Sequence, residues 1–166
     1  MSLWLINMDR EGVSTAALHK IGQQCIPFCE VYLDNVVVTE EDRVGKPGEG
    51  FMLLMKNFED ERAFIVAEQL GLAQAALDDA AAYANQRIAF GKPIAKFQMI
   101  QEKLTEMEIR VQNTRNMLYK VLWELDNGIP VQLDSALLKR YGCTACFEVG
   151  DMALSIYGGL GYTSEV

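Results

Sequence analysis

The sequence predicts a mainly α fold: an incomplete antiparallel up-down helical bundle preceded by a short β segment. Three observations predict it. Apolar residues recur with helical spacing over three long stretches after Gly50, short turn-forming segments separate those stretches, and only the opening residues alternate with period two. Half of the 166 residues are hydrophobic, enough for a real core.

Trp4-Leu5-Ile6-Asn7-Met8 reads as a short strand, and Cys29-Glu30-Val31-Tyr32-Leu33 alternates with period two. Asp34-Asn35 then turns the chain into a third expected strand, Val36-Val37-Val38. Two or three strands do not make a stable sheet alone. Residues 1–45 are therefore expected to be the end of a larger β-domain, and residues 46–166 a helical-bundle domain.

The first helix is expected near residues 50–89, with Phe51, Leu54, Phe58, Ile65, Leu72, Ala76 and Tyr83 on its buried face. At 1.5 Å per residue it would run about 60 Å. In the second, Phe97, Ile100, Leu104, Met107, Val111, Thr114, Leu118 and Leu122 alternate steps of three and four. Asp126-Asn127-Gly128-Ile129-Pro130 ends it with turn chemistry, and a third helix over about 132–157 stops at Gly158-Gly159. Long seams of this kind usually need a fourth partner. The chain reaches Val166 soon after Gly158-Gly159-Leu160-Gly161, so the bundle is expected to stop before its last helices. An open apolar face of that kind favours self-association, with Met52, Met55 and Met107 as exposed, adaptable contacts.

The net charge of −8 argues against nucleic acid or an anionic membrane as the main partner, since both need a basic face. No apolar run approaches the roughly 20 residues of a membrane span. Met1-Ser2-Leu3 lacks the regions of a signal peptide, so a secreted protein is not expected. Cys143-x-x-Cys146 has a spacing that invites a metal reading. Both cysteines nevertheless sit inside an apolar-periodic run, where they pack as small hydrophobes, and His19 is the single histidine. A metal site is not expected.

The elbow Arg87-Ile88-Ala89-Phe90-Gly91-Lys92-Pro93-Ile94 joins the first two helices. It offers one guanidinium, one ring and free backbone groups at one place, enough to hold the phosphate or ring of a nucleotide-like ligand. An ordinary interhelical loop, with Gly and Pro as stop signals, explains the same residues.

Further motifs stand in order along the chain. They are Gly45-Lys46-Pro47-Gly48-Glu49-Gly50-Phe51, Glu61-Arg62-x4-Ala67, Gly71-Leu72-Ala73-x2-Ala76-Leu77, Tyr83-Ala84, Arg87-x2-Phe90-Gly91, Phe97-Gln98-x2-Gln101-x-Lys103-Leu104 and Gly158-Gly159-x-Gly161-Tyr162. Together they resemble the C-terminal half of the acyl-CoA dehydrogenases, flavoproteins that oxidise an acyl-CoA thioester to the trans-2-enoyl-CoA. The resemblance covers nearly the whole chain. It implies FAD as cofactor, an acyl-CoA substrate, identical subunits in a tetramer and an electron-transfer flavoprotein as redox partner. The compartment it implies is the bacterial cytoplasm or the mitochondrial matrix.

By that resemblance Arg87, Phe90 and Gln98 contact the FAD of a neighbouring subunit, and Gly158-Gly159 approaches its pyrophosphate. The physical chemistry agrees. Arginine forks onto phosphate oxygens, and a glycine pair lets the backbone approach an anion closely. One position departs from the pattern: the family often has Gln where this chain has Ser155.

The family reaction needs a carboxylate base in a largely dry pocket to take the α-proton while the β-hydride goes to flavin N5. In many members that Glu lies in a Glu-Gly-Thr motif farther along the chain. In the isovaleryl and long-chain branches it directly precedes the helix arginine. Glu61 occupies that position here, which makes it the candidate base with Arg62 supporting it. A structural Glu61–Arg62 pair is the alternative. Tyr83-Ala84-Asn85-Gln86-Arg87, Phe97-Gln98-x-Ile100-Gln101-Glu102-Lys103 and Asn116-Met117-Leu118-Tyr119 resemble the carnitine-CoA-related reductase branch, where flux can run toward enoyl-CoA reduction. The resemblance implies a dehydrogenase or enoyl-CoA reductase of which this stretch alone is inactive. A helical oligomerisation module without catalysis would use the seam from Phe97 to Leu122 equally well, but has no use for the elbow and the Gly158-Gly159 turn together.

Overall fold

A computed structural model of the chain describes residues 1–165 and divides into two units, Met1–Lys56 and Asn57–Val166. In the first unit β1 (Leu3–Trp4) pairs antiparallel with β4 (Arg43–Val44), and β2 (Val13–Ala17) pairs antiparallel with β3 (Cys29–Leu33), Val13 opposite Leu33. The expected strand at Cys29–Leu33 is therefore present. The one expected from Trp4 shortens to Leu3–Trp4, and Val36-Val37-Val38 is not a strand. There the Val37 carbonyl accepts a hydrogen bond from Arg10 Nη1 at 3.1 Å instead of joining a ladder. The true partner of β3, Val-Ser-Thr-Ala-Ala, escapes the sequence reading because its lone large apolar residue creates no alternation. Arg10 also forks onto Asp42, Nη1 to Oδ2 at 2.6 Å and Nη2 to Oδ1 at 2.7 Å.

α1 (Gly50–Gln86) begins in the first unit and continues into the second. It ends before residue 89 because the next residues form a hairpin, β5 (Ile88–Ala89) against β6 (Lys92–Pro93). Its buried stripe is Ala63, Val66, Leu70, Ala73, Leu77, Ala80 and Ala84. The face expected from the large apolar residues is thus rotated: Phe51 and Leu72 are 51% and 64% exposed. Four of the seven stripe residues are alanine, while bulky residues also stand on the exposed side, so periodicity in bulky side chains alone misplaces the stripe.

α2 (Gln98–Asp126) buries Met107, Val111, Thr114 and Leu118 as the heptad pattern expects, then shifts to Val121 and Glu124. Met107 is fully buried, against the expectation that it is exposed, because it occupies a central seam position; Met52 is exposed. The helix ends in a Schellman motif. Ile129 N donates to Glu124 O at 2.9 Å and Gly128 N to Leu125 O at 3.1 Å, with Gly128 at φ 67°.

α3 (Gln132–Tyr157) starts after the short connection at Val131 and buries Ser135, Leu138, Gly142, Ala145, Cys146, Val149, Ala153 and Ile156. Cys146 packs inside the helical core as expected, and burial pushes its thiol pKa up. Cross-links set the directions of the three helices. α2 and α3 run antiparallel, joined by Arg110 Nε–Glu148 Oε2 at 2.6 Å and Lys120 Nζ–Asp134 Oδ1 at 2.7 Å. α1 and α3 run parallel, with Arg62 meeting Ser135 near one end and Tyr83 meeting Tyr157 at the other. All three helices converge at Gly142, where an added Cβ would lie 2.7 Å from Val66 Cγ1 and 3.2 Å from Thr114 Cγ2.

Candidate functional site

The sequence-derived site residues fall into two clusters. The first is the elbow end of the bundle. Arg87 follows the last turn of α1, its N–H donating to Tyr83 O at 2.8 Å and its carbonyl accepting from Ile94 N at 2.9 Å. This closes the β5–β6 hairpin onto the helix end. Phe90 and Gly91 form the two-residue turn with φ of 52° and 79°. Both values lie in the left-handed region, which glycine adopts freely and phenylalanine does not. Phe90 is 96% exposed, and its ring stands edge-on to that of Phe97 with centroids 6.2 Å apart. Lys92 Nζ sits 4.4 Å above the Phe97 ring, and Gln98 opens α2 with its side chain exposed.

The Gly158-Gly159 turn arrives at this same end. Tyr157 stacks on Tyr83 with centroids 4.4 Å apart, and Lys103 Nζ donates to Ser155 Oγ, so the end of α3 is tied to the end of α1 and the start of α2. Ser155, the position that departs from the family pattern, is thus a link between helices. Gly158 caps α3 at φ 63°, ψ −130°. A Cβ built on Gly158 or Gly159 meets nothing within 4 Å, whereas one on Gly161 would lie 2.4 Å from Leu154 O. Gly161 is demanded by the close approach of this turn to the backbone of α3. The Gly158-Gly159 pair faces open space that its own fold does not fill. Arg87, Lys92, Lys96 and Lys103 gather at this end of a chain whose net charge is −8.

These residues fit the anionic, ring-bearing cofactor the resemblance implies. An exposed guanidinium, a bare aromatic held in a costly backbone conformation and an unobstructed glycine pair suit a bound FAD better than a free loop.

The second cluster lies 26 residues earlier on α1, about 39 Å along its axis. Phe58, Glu61 and Arg62 line a cleft of about 200 Å³ together with Lys139 of α3. Glu61 is exposed and Arg62 half-buried. Among the described residues no ion pair joins Glu61 to Arg62, as expected for neighbours pointing 100° apart round a helix. Arg62 Nη1 instead donates to Ser135 Oγ at 3.4 Å. The structure therefore brings Arg87, Phe90, Gln98, Gly158 and Gly159 to one end and leaves Glu61 and Arg62 at a distance from them.

Sequence reasoning missed Ser135, Lys139 and the Tyr83–Tyr157 contact. A signal for Ser135 existed: it is a polar residue at a stripe position of α3, in step with Leu138 and Gly142.

A family profile described as "Acyl-CoA dehydrogenase, C-terminal domain" matches residues 48–166. The chain belongs to the acyl-CoA dehydrogenase family. It is 50% identical over 164 residues to the probable acyl-CoA dehydrogenase YdiO of Escherichia coli K12, covering 99% of this chain and 43% of that protein. The crystal structure of an acyl-CoA dehydrogenase from Slackia heliotrinireducens superposes with a TM-score of 0.88 at 40% identity, over 99% of this chain and 43% of that one. Butyryl-CoA dehydrogenase from Megasphaera elsdenii gives a TM-score of 0.96 at 32% identity, again over 99% and 43%. The chain thus spans less than half the length of these relatives.

Proposed function

We propose that this chain is part of an FAD-dependent acyl-CoA dehydrogenase or enoyl-CoA reductase that interconverts an acyl-CoA thioester and its trans-2-enoyl-CoA. The observation carrying the reading is the convergence of Arg87, Phe90, Gln98, Gly158 and Gly159 at one end of a family-matched bundle, facing open space. Residues 1–45 belong in this reading to a middle β-domain, and the stretch by itself is inactive.

Arg87 forks onto phosphate oxygens, Phe90 supplies a ring face, Gln98 an amide, and the Gly158-Gly159 backbone approaches the pyrophosphate. When bound, FAD supplies the two-electron acceptor for the hydride leaving the substrate's β-carbon. Glu61 takes the α-proton, its carboxylate becoming a carboxylic acid as the Cα=Cβ bond forms. Arg62 holds the helix segment that presents it. A separation of about 39 Å along α1 is too long for Glu61 and Arg87 to serve one flavin ring system. It supports an assembly in which one subunit's elbow reaches a neighbour's FAD, so identical subunits are part of the reading. Electrons leave to an electron-transfer flavoprotein, and the compartment is the bacterial cytoplasm or the mitochondrial matrix. No helix among the described residues is long and apolar enough to cross a membrane.

The deciding test is anaerobic titration of the full-length flavoprotein with a panel of acyl-CoA esters, for wild type and Glu61→Gln. Loss of flavin bleaching with FAD retained supports Glu61 as the base. Normal bleaching in Glu61→Gln assigns proton removal to another carboxylate.

A further inference from the structure

We propose that Ser135 of α3 is a positioning residue for the candidate base, acting through Arg62. The inference rests on the reading of Glu61 as base and deepens it. Ser135 is fully buried, in a stripe whose neighbours Val131 and Leu138 are 1% and 0% exposed. A hydroxyl in such a stripe is unfavourable unless it is hydrogen-bonded. Its Oγ donates to the carbonyl of Gln132 at 3.4 Å and accepts from Arg62 Nη1 at 3.4 Å, while its backbone N–H is already given to Val131 O at 2.8 Å. The side chain therefore serves one partner outside its own helix, and that partner is the residue beside Glu61.

The consequence is geometric. An arginine side chain is long and rotamer-rich, and an acceptor in the wall of a neighbouring helix selects one of its conformations. Arg62 laid across to α3 fixes the rotation of this part of α1, and Glu61 then stands about 100° round the helix at the rim of the cleft. Lys139, one turn beyond Ser135 on the same face of α3, lines that cleft with Glu61 and Phe58. One helix thus contributes both the anchor of Arg62 and the cation facing the carboxylate's cleft. Alanine at 135 would satisfy the apolar stripe but give Arg62 nothing to hold.

The test is a double-mutant cycle of Ser135→Ala and Arg62→Met, read in two ways. In the full-length flavoprotein, Ser135→Ala is expected to slow flavin bleaching by acyl-CoA about tenfold with KM changed less than twofold. In the Arg62→Met background the same substitution is expected to change the rate no further. An equal slowing in both backgrounds, or none in either, overturns the proposal. The melting temperatures of the four variants of this chain give a readout independent of activity. Non-additive shifts support the anchor, and additive shifts overturn it. Failure of the Glu61 reading looks different: it appears as normal bleaching in Glu61→Gln, whatever the cycle gives.

Discussion

Tyr83 and Tyr157 face each other with ring centroids 4.4 Å apart and planes tilted by 34°, and this contact carries the end of α3 to the end of α1. It is the reason the Gly158-Gly159 turn stands beside the Arg87 elbow. Replacing either ring by alanine should lower stability by about 1–3 kcal/mol, with a coupling of about 1 kcal/mol in the double mutant. Urea unfolding of the three variants measures both.

The same end of the bundle is sensitive to alkali. Burial, with Asp79 and Tyr83 adding to it, raises the Tyr157 phenol above its ordinary value. A raised folded-state pKa means the associated stability is fully present below about pH 10 and is lost as pH rises through the folded value. A spectrophotometric phenol titration should contain a late component that disappears in Tyr157→Phe.

Phe90 illustrates a conflict between stability and binding. Its φ of 52° suits glycine, and its ring is almost bare. Phe90→Gly should raise the melting temperature, a gain of about 1 kcal/mol, while reducing FAD retention by the full-length protein. Unchanged retention would remove Phe90 from the cofactor contacts.

Gly142 marks where the three helices press together. Gly142→Ala gains helix propensity of about 1 kcal/mol but forces Cβ to within 2.7 Å of Val66 Cγ1, a stiff β-branched side chain. The steric term should win, for a net loss of about 1–2 kcal/mol. The double variant Gly142→Ala, Val66→Ala should relieve the clash, and chemical denaturation tests whether its loss is less than additive.

The first unit should be acid-sensitive. Arg10, helped by the Thr39 N–H, holds the Asp42 carboxyl well below the usual carboxylate range. A depressed pKa contributes stability that is present above about pH 4 and is lost as pH falls through the folded value. Trp4 fluorescence in a Trp123→Phe background should report an acid transition that Asp42→Asn abolishes.

Phe147 is 77% exposed, Leu72 64% and Leu154 49%, and all three border the open side of the α1–α3 pair. This chain alone should therefore associate with its own copies. Light scattering is expected to give a mass above the 18.6 kDa of one chain, and a stable monomer would refute it.

What the sequence determined by itself was local. Helical periodicity and the Asp126 to Pro130 turn chemistry set the existence, extent and order of α2 and α3 to within a residue or two, because capping and heptad spacing act over a few neighbouring residues. The elbow and glycine motifs named the candidate site in the same way. Tertiary structure alone decided which face of α1 is buried, since four of the seven stripe residues are alanine and bulky residues such as Phe51, Phe64 and Leu72 stand on the exposed side, and which segment pairs with Cys29–Leu33. It alone placed Ser135 against Arg62 and Tyr157 against Tyr83, across 73 and 74 residues of chain. Such meetings depend on helix rotation and direction, which are settled by packing of whole surfaces and leave no periodic trace along the chain.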